Sequence, residues 1–202
     1  MYIFTGRYTF VAMTRKPRAT RANIIQAADD LFYGEGVRAT SMDAIAERAG
    51  VTKRTLYYHF RSKDDLISAY LQARDEPTLG RYEVWLNATK GTLAEQVAGM
   101  FHRLGRVATA AKWKGCGFQR AAAELAGSPG HPALKIASEH KKRFELWLVE
   151  RINAEGLDAA PLRARQVVIV LEGAVAQMLL HRDPSYVRAA GQIAASLLIK
   201  RG

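Results

Sequence analysis

The sequence predicts an all-α fold of about nine helices, in an N-terminal three-helix unit and a larger helical remainder. Three observations carry that reading. Strand-like alternation is nearly absent from the 202 residues. Apolar residues recur instead at i, i+3, i+4 and i+7, which lines one face of a helix. Caps and breakers punctuate these runs at intervals that helices would fill.

Ile24, Ile25, Ala28, Leu31 and Phe32 mark one face of a first helix, ended by Gly34-Glu35-Gly36. Thr40, three residues before Asp43, gives a capping-box-like start to a short helix from Met42 to Ala49. Gly50 supplies a turn, and Thr52 is the expected N-cap of the next helix, Lys53 to Phe60. Ser62, with Asp65 at N3, starts a fourth helix through Leu66, Ile67, Tyr70 and Leu71. Pro77 is expected to kink or end it, with Tyr82, Trp85 and Leu86 continuing the pattern.

Lys90-Gly91-Thr92 is a clean break. Leu93, Val97, Met100, Phe101, Leu104, Val107, Ala108 and Ala111 then share a long helix. After a turn at Lys114 to Gly117, a short Ala-rich helix runs from Phe118 to Ala126. A long helix from Ala133 to Glu155 follows, with Phe144, Trp147, Leu148 and Ile152 on one side. Pro161 opens a helix whose middle, Val167 to Leu180, is apolar nearly all round, a profile that implies burial on most sides. Asp183 caps the last helix and Pro184 opens it. Two closing helices so rich in Ala, Gly and aliphatics suggest an interface as well as a core.

The formal charge of +11 favours a polyanionic partner, either nucleic acid or an anionic membrane surface. No segment reaches the ~20 apolar residues of a membrane span. Cys116 is the one cysteine, so neither a disulfide framework within the chain nor a Cys-based zinc site is expected, and a cytoplasmic location fits. Residues 1–12 lack the apolar run of a signal peptide, and Met13 looks like a more natural start, so residues 1–14 are expected to form a disordered extension. His59, His102, His131, His140 and His181 form no metal-ligand spacing. With no nucleophile elbow, phosphate loop or paired-carboxylate pattern, no enzyme, metal or cofactor is expected. Lys114 near Cys116 would favour a reactive thiolate, although a lone cysteine is more often an inert small hydrophobe.

The helix from Lys53 carries the clearest chemistry. Leu56 and Phe60 are four residues apart and pack inward. Lys53, Arg54, Thr55, Tyr57, Tyr58 and His59 are left facing elsewhere. In a helix-turn-helix the second helix enters the DNA major groove while the first crosses the backbone. Thr40, Ser41, Tyr58 and Lys63 are candidates for phosphates; Arg54, Thr55 and Tyr57 are candidates for bases. Arg15, Lys16, Arg18 and Arg21 form an arm that could follow the DNA backbone.

Residues 20–66 resemble the DNA-binding domain of the TetR family of bacterial transcriptional regulators. The motif is Gly50-Val-Thr-Lys-Arg-Thr-Leu-Tyr-Tyr-His-Phe-Arg-Ser-Lys-Asp-Asp-Leu66, preceded by Thr40-Ser-Met-Asp-Ala-Ile-Ala46. Arg54 departs from the Gly or Ala common there, which leaves base preference open. The resemblance implies a helix-turn-helix domain at 15–62 and an effector-binding and dimerisation domain at 63–202, with residues 63–88 as connecting helix. It also implies a homodimer through the last two helices, on a pseudo-palindromic double-stranded DNA operator. The DNA-contacting set is then Thr40, Ser41, Thr52, Lys53, Arg54, Thr55, Tyr57, Tyr58, His59 and Lys63.

Such regulators hold a small effector in the second domain, here expected to be apolar or aromatic. Met100, Phe101, Leu104, Trp113, Phe118, Leu125, Trp147 and Met178 offer apolar walls, and His102, Gln119, Glu172 and Gln177 offer polar groups. Aromatic and Met residues at helical spacing are simply core about as often. Glu172, alone in an apolar run, needs a partner, either an effector or a hydrogen bond within the dimer bundle. A ligand-released repressor is the leading expectation; a transcriptional activator and a non-specific DNA-binding protein without an effector are its rivals.

Overall fold

The computed structural model describes residues 17–200. The expected extension at 1–14 and the arm residues Arg15 and Lys16 lie outside the described residues, as does the side chain of Arg18. Among the described residues there are nine α-helices and no strand: α1 (Pro17–Glu35), α2 (Met42–Ala49), α3 (Lys53–His59), α4 (Lys63–Asn87), α5 (Leu93–Ala108), α6 (Gly117–Leu125), α7 (Pro132–Ala154), α8 (Ala160–His181) and α9 (Pro184–Ser196).

Two apolar cores organise these helices. The first gathers Ile24, Ala28 and Phe32 of α1, Ile45 of α2, Leu56 of α3 and Leu66, Ile67 and Leu71 of α4. Phe118, Ala121 and Leu125 of α6, with Ala133 and Ala137 of α7, also belong to it. Polar links hold α6 to the end of α1. The Tyr33 hydroxyl donates to Gly115 O (3.1 Å) and accepts from Lys114 N (2.9 Å). Arg120 donates to Tyr33 O at 2.6 Å, and Glu124 accepts from Arg38 N at 2.8 Å.

The second core packs α5, α7, α8 and α9 around Phe101, Leu148, Val167, Leu171 and Met178. Its α5–α9 contact is close. A Cβ placed on Gly191 would come within 2.9 Å of Phe101 Cβ, so glycine there lets the two helices meet. Thr92 and Glu95 form a reciprocal capping box at the start of α5.

Pro77 neither ends nor separates the connecting helix, which is continuous from Lys63 to Asn87. The proline has no N–H to give Ala73 O. One residue on, the Thr78 hydroxyl donates to Arg74 O at 2.7 Å. A proline inside a helix costs about 3 kcal/mol. Packing of the buried Leu66, Leu71 and Leu86 on either side holds the helix through it. The cap of α2 also differs from expectation. Ser41, not Thr40, accepts from Ala44 N, while the Thr40 hydroxyl turns back to donate to Gly36 O at 2.8 Å.

Helix α8 is buried on fewer sides than its composition implies. Val167, Leu171, Ala174, Val175 and Met178 are buried, but Leu162, Ile169 and Leu180 are exposed, as are Tyr186 and Ile193 of α9. No helix among the described residues is long and apolar enough to cross a membrane.

Candidate nucleic-acid interface

The turn between α2 and α3 depends on one residue. Gly50 adopts φ 65°, ψ 38°, a left-handed conformation that glycine reaches without steric cost, and its N–H closes on Ala46 O and Glu47 O. The chain then enters α3 with Thr52 extended and its hydroxyl accepting from Thr55 N at 3.1 Å. Leu56 is buried within α3, and Phe60 is buried just past its end. Those two anchors leave the opposite face to solvent.

On that face Lys53, Arg54, Tyr57 and Tyr58 are exposed, and Thr55 and His59 are half-buried. Tyr58 is 82% exposed, a burial state that folding alone does not explain for a large aromatic ring. His59 meets it edge-on at 5.1 Å between centroids. Lys53 is held by Asp43 of α2, with Nζ 2.8 Å from Oδ1. The Asp43 hydrogen bond and charge raise the Lys53 pKa, so its ammonium is retained. Thr52 and Thr55 hydroxyls lie 2.9 Å apart. Lys63 Nζ donates to Arg38 O at 3.0 Å, and Ser41 is exposed while it caps α2. Thr40 is only 1% exposed and its hydroxyl faces inward, away from a phosphate approaching from solvent. Arg21 lies over the Phe60 ring at 4.9 Å, joining α1 to the end of the reading helix.

The residues expected around an effector do not converge on one cavity. Leu104, Trp113 and Phe118 border an internal cavity of about 70 Å3 with Tyr33, Arg74, Tyr82 and Cys116. Phe118 also borders a depression of about 310 Å3 with Gln119, Lys141 and Glu172. Trp147 lines a groove between α4 and α7, and Phe101 and His102 border another between α5 and α9. Met100 and Met178 are fully buried in the second core and border none of these.

Glu172 finds its partner inside its own chain, with Lys141 Nζ 2.6 Å from Oε1. The same ammonium lies 3.3 Å from Cys116 Sγ, the neighbour that sequence proximity assigns to Lys114. Burial works against the Lys141 charge, but Cys116, Glu172 and Tyr82 outweigh it and hold the ammonium above its ordinary range. His140, which the sequence offers only as one histidine among five, is buried and stacks on Phe118 at 3.7 Å and 5°. Its Nδ1 lies 2.6 Å from Asp75 Oδ1, linking α7 to α4. Burial is the main cause of its lowered pKa, with Asp75 opposing. No sequence spacing points to a pairing across 65 positions.

Fold and face together define a helix-turn-helix DNA-binding protein with an appended helical domain. Residues 24–70 match the family model of bacterial regulatory proteins, tetR family. The chain is 47% identical to the transcriptional regulator TtgR of Pseudomonas putida over 57 residues, 28% of this chain and 27% of TtgR. It therefore spans about a quarter of that relative's length in the match. It is 24% identical to the transcriptional regulator YjdC of Escherichia coli (strain K12) over 179 residues, 88% of this chain and 93% of YjdC. Its fold is similar to that of SCO4454, a TetR-family transcriptional regulator from Streptomyces coelicolor. That match has TM-score 0.75 and 29% identity, and covers 89% of this chain and 94% of that one. These relatives are regulators rather than enzymes. The chain belongs to the TetR family of bacterial regulatory proteins.

Proposed function

We propose that this chain is a transcriptional repressor that binds a pseudo-palindromic operator as a homodimer and is released by a small apolar or aromatic effector. The observation that carries the reading is α3 itself: Leu56 and Phe60 pin one face while Lys53, Arg54, Tyr57 and Tyr58 stand in solvent on the other. Arg54 suits a guanine edge, and Thr55 and Tyr57 sit beside it for neighbouring bases. Thr52, Lys53, Tyr58, His59, Ser41 and Lys63 surround them as backbone contacts. The exposed apolar stripe on α8 and α9 supports a dimer, because a monomer has no use for Leu162, Ile169, Leu180 and Ile193 facing water. Two such protomers would present their reading helices roughly 34 to 36 Å apart, one turn of DNA. A division at 15–62 and 63–202, with residues 63–88 connecting the two, goes with this reading, as does a cytoplasmic site of action.

The test is operator affinity of wild type against Tyr57→Ala, with non-specific DNA as the reference. Loss of about tenfold or more on the operator, with little change on other DNA, is the expected outcome. Equal operator affinity for both proteins refutes the assignment. Binding that depends on salt but carries no preference for any sequence would replace it with a non-specific DNA-binding role.

A further inference from the structure

Away from the reading helix, α4 and α7 enclose a groove of about 440 Å3, within the range of small-molecule sites. Its α4 wall carries Glu76, Gly80 and Glu83, four and three residues apart and so on one helical face. Its α7 wall carries Phe144 and Trp147, whose rings lie 5.7 Å apart and 23° from parallel. A Cβ on Gly80 would meet nothing within 4 Å, so the space between the two glutamates is open.

The charges in the lining sort into two kinds. Asp75 is taken up by Arg143 and His140, and these groups satisfy one another. Glu76 and Glu83 have no ion-pair partner among the described residues. A chain of net charge +11 thus holds a locally acidic groove with aromatic walls.

We propose that this groove binds a small organic cation with an apolar or aromatic body, of the quaternary ammonium kind. Aromatic faces attract such cations, and two uncompensated carboxylates add to the attraction. An anionic ligand would meet those carboxylates with nothing free to offset them. A bare metal ion fits poorly as well. Seven residues of helix set Glu76 and Glu83 about 10 Å apart along the axis, too far to share one ion. Trp147 already has the Arg151 guanidinium 5.9 Å from its centroid, at the outer margin of the same attraction. The α4 wall belongs to the helix that begins just after the reading helix, so occupancy of the groove bears on DNA affinity. That consequence rests on the effector-released reading above; the binding site does not.

The experiment is equilibrium dialysis of the full chain with benzyltrimethylammonium, with its uncharged analogue neopentylbenzene and the anion phenylacetate as controls. The cation should bind saturably and more weakly as salt rises, and the controls should not match it. Glu76→Gln and Glu83→Gln should each weaken it about two- to fivefold, with helicity unchanged. Equal binding of the uncharged analogue, wild-type affinity in the double variant, or no saturable binding overturns the proposal. Operator affinity without the probe tests the earlier reading separately. Cation binding that leaves operator affinity unchanged would keep the site and refute its regulatory use.

Discussion

The reading helix and the last two helices both turn large side chains to water, but of opposite kinds. Tyr58, exposed to 82%, ends in a hydroxyl and stands among Lys53, Arg54 and Tyr57. Leu180, exposed to 72%, shares its outer stripe with Ile169 and Leu162. A hydrated polyanion can be met by the first surface without drying it fully, because protein–DNA interfaces are polar and retain water. Only another apolar face relieves the second. The comparison separates two partners on one chain from exposure and chemistry alone: a charged groove for α3, and a second apolar helix face for α8 and α9.

That contrast can be broken at several points. The largest effect is expected at the anchor under the reading face. Leu56→Ala removes a fully buried side chain and should cost about 2–5 kcal/mol in denaturant unfolding. A loss below about 1 kcal/mol would mean that Leu56 does not hold α3 in place. On the other surface, Ile193→Asp should weaken self-association at least about tenfold in sedimentation velocity. Unchanged assembly would take α9 out of the interface. Thr52→Ala removes the N-cap of α3 and should cost about 1 kcal/mol in the same unfolding assay.

The smallest effect concerns pH. His140 has a folded pKa below its ordinary value of 6.5. As pH falls through that value, the unfolded chain takes up the proton first, so stability is full above it and declines below it. Wild type should therefore lose Tm between about pH 6.5 and 5 more steeply than His140→Gln, once the baseline titration common to both is subtracted. Parallel profiles would show that burial at this site does not disfavour the proton.

The two halves also differ in how far the sequence reveals them. Helices α2 and α3 are legible because their signals are local: Gly50 for the turn, Thr52 for the cap, and Leu56 with Phe60 for the buried face. The start of α4 follows from Ser62 in the same way. Contacts between distant segments leave no such signal. Asp43 meets Lys53 across the turn, ten residues away, where helical periodicity no longer applies. Glu172 shows in the sequence only as a lone charge in an apolar run, and its partner Lys141 lies 31 residues earlier on another helix. Pro77 reads as a break because local propensity disfavours it. Packing along α4 overrides that propensity, and no single-segment pattern carries the packing. The effector candidates mix core and cavity residues, since Met100 and Trp147 look equivalent on a helical face.

The α6 residues seated in the first core have a consequence for anyone exchanging parts between regulators. Phe118, Ala121 and Leu125 fill a space framed by helices that precede them by more than forty residues. A fragment ending after residue 62, or a chimaera grafting that fragment onto a foreign sensor, would leave this socket vacant and expose the apolar faces around it. The unit of exchange that keeps the first core intact is discontinuous: the first four helices together with α6 and the opening turns of α7.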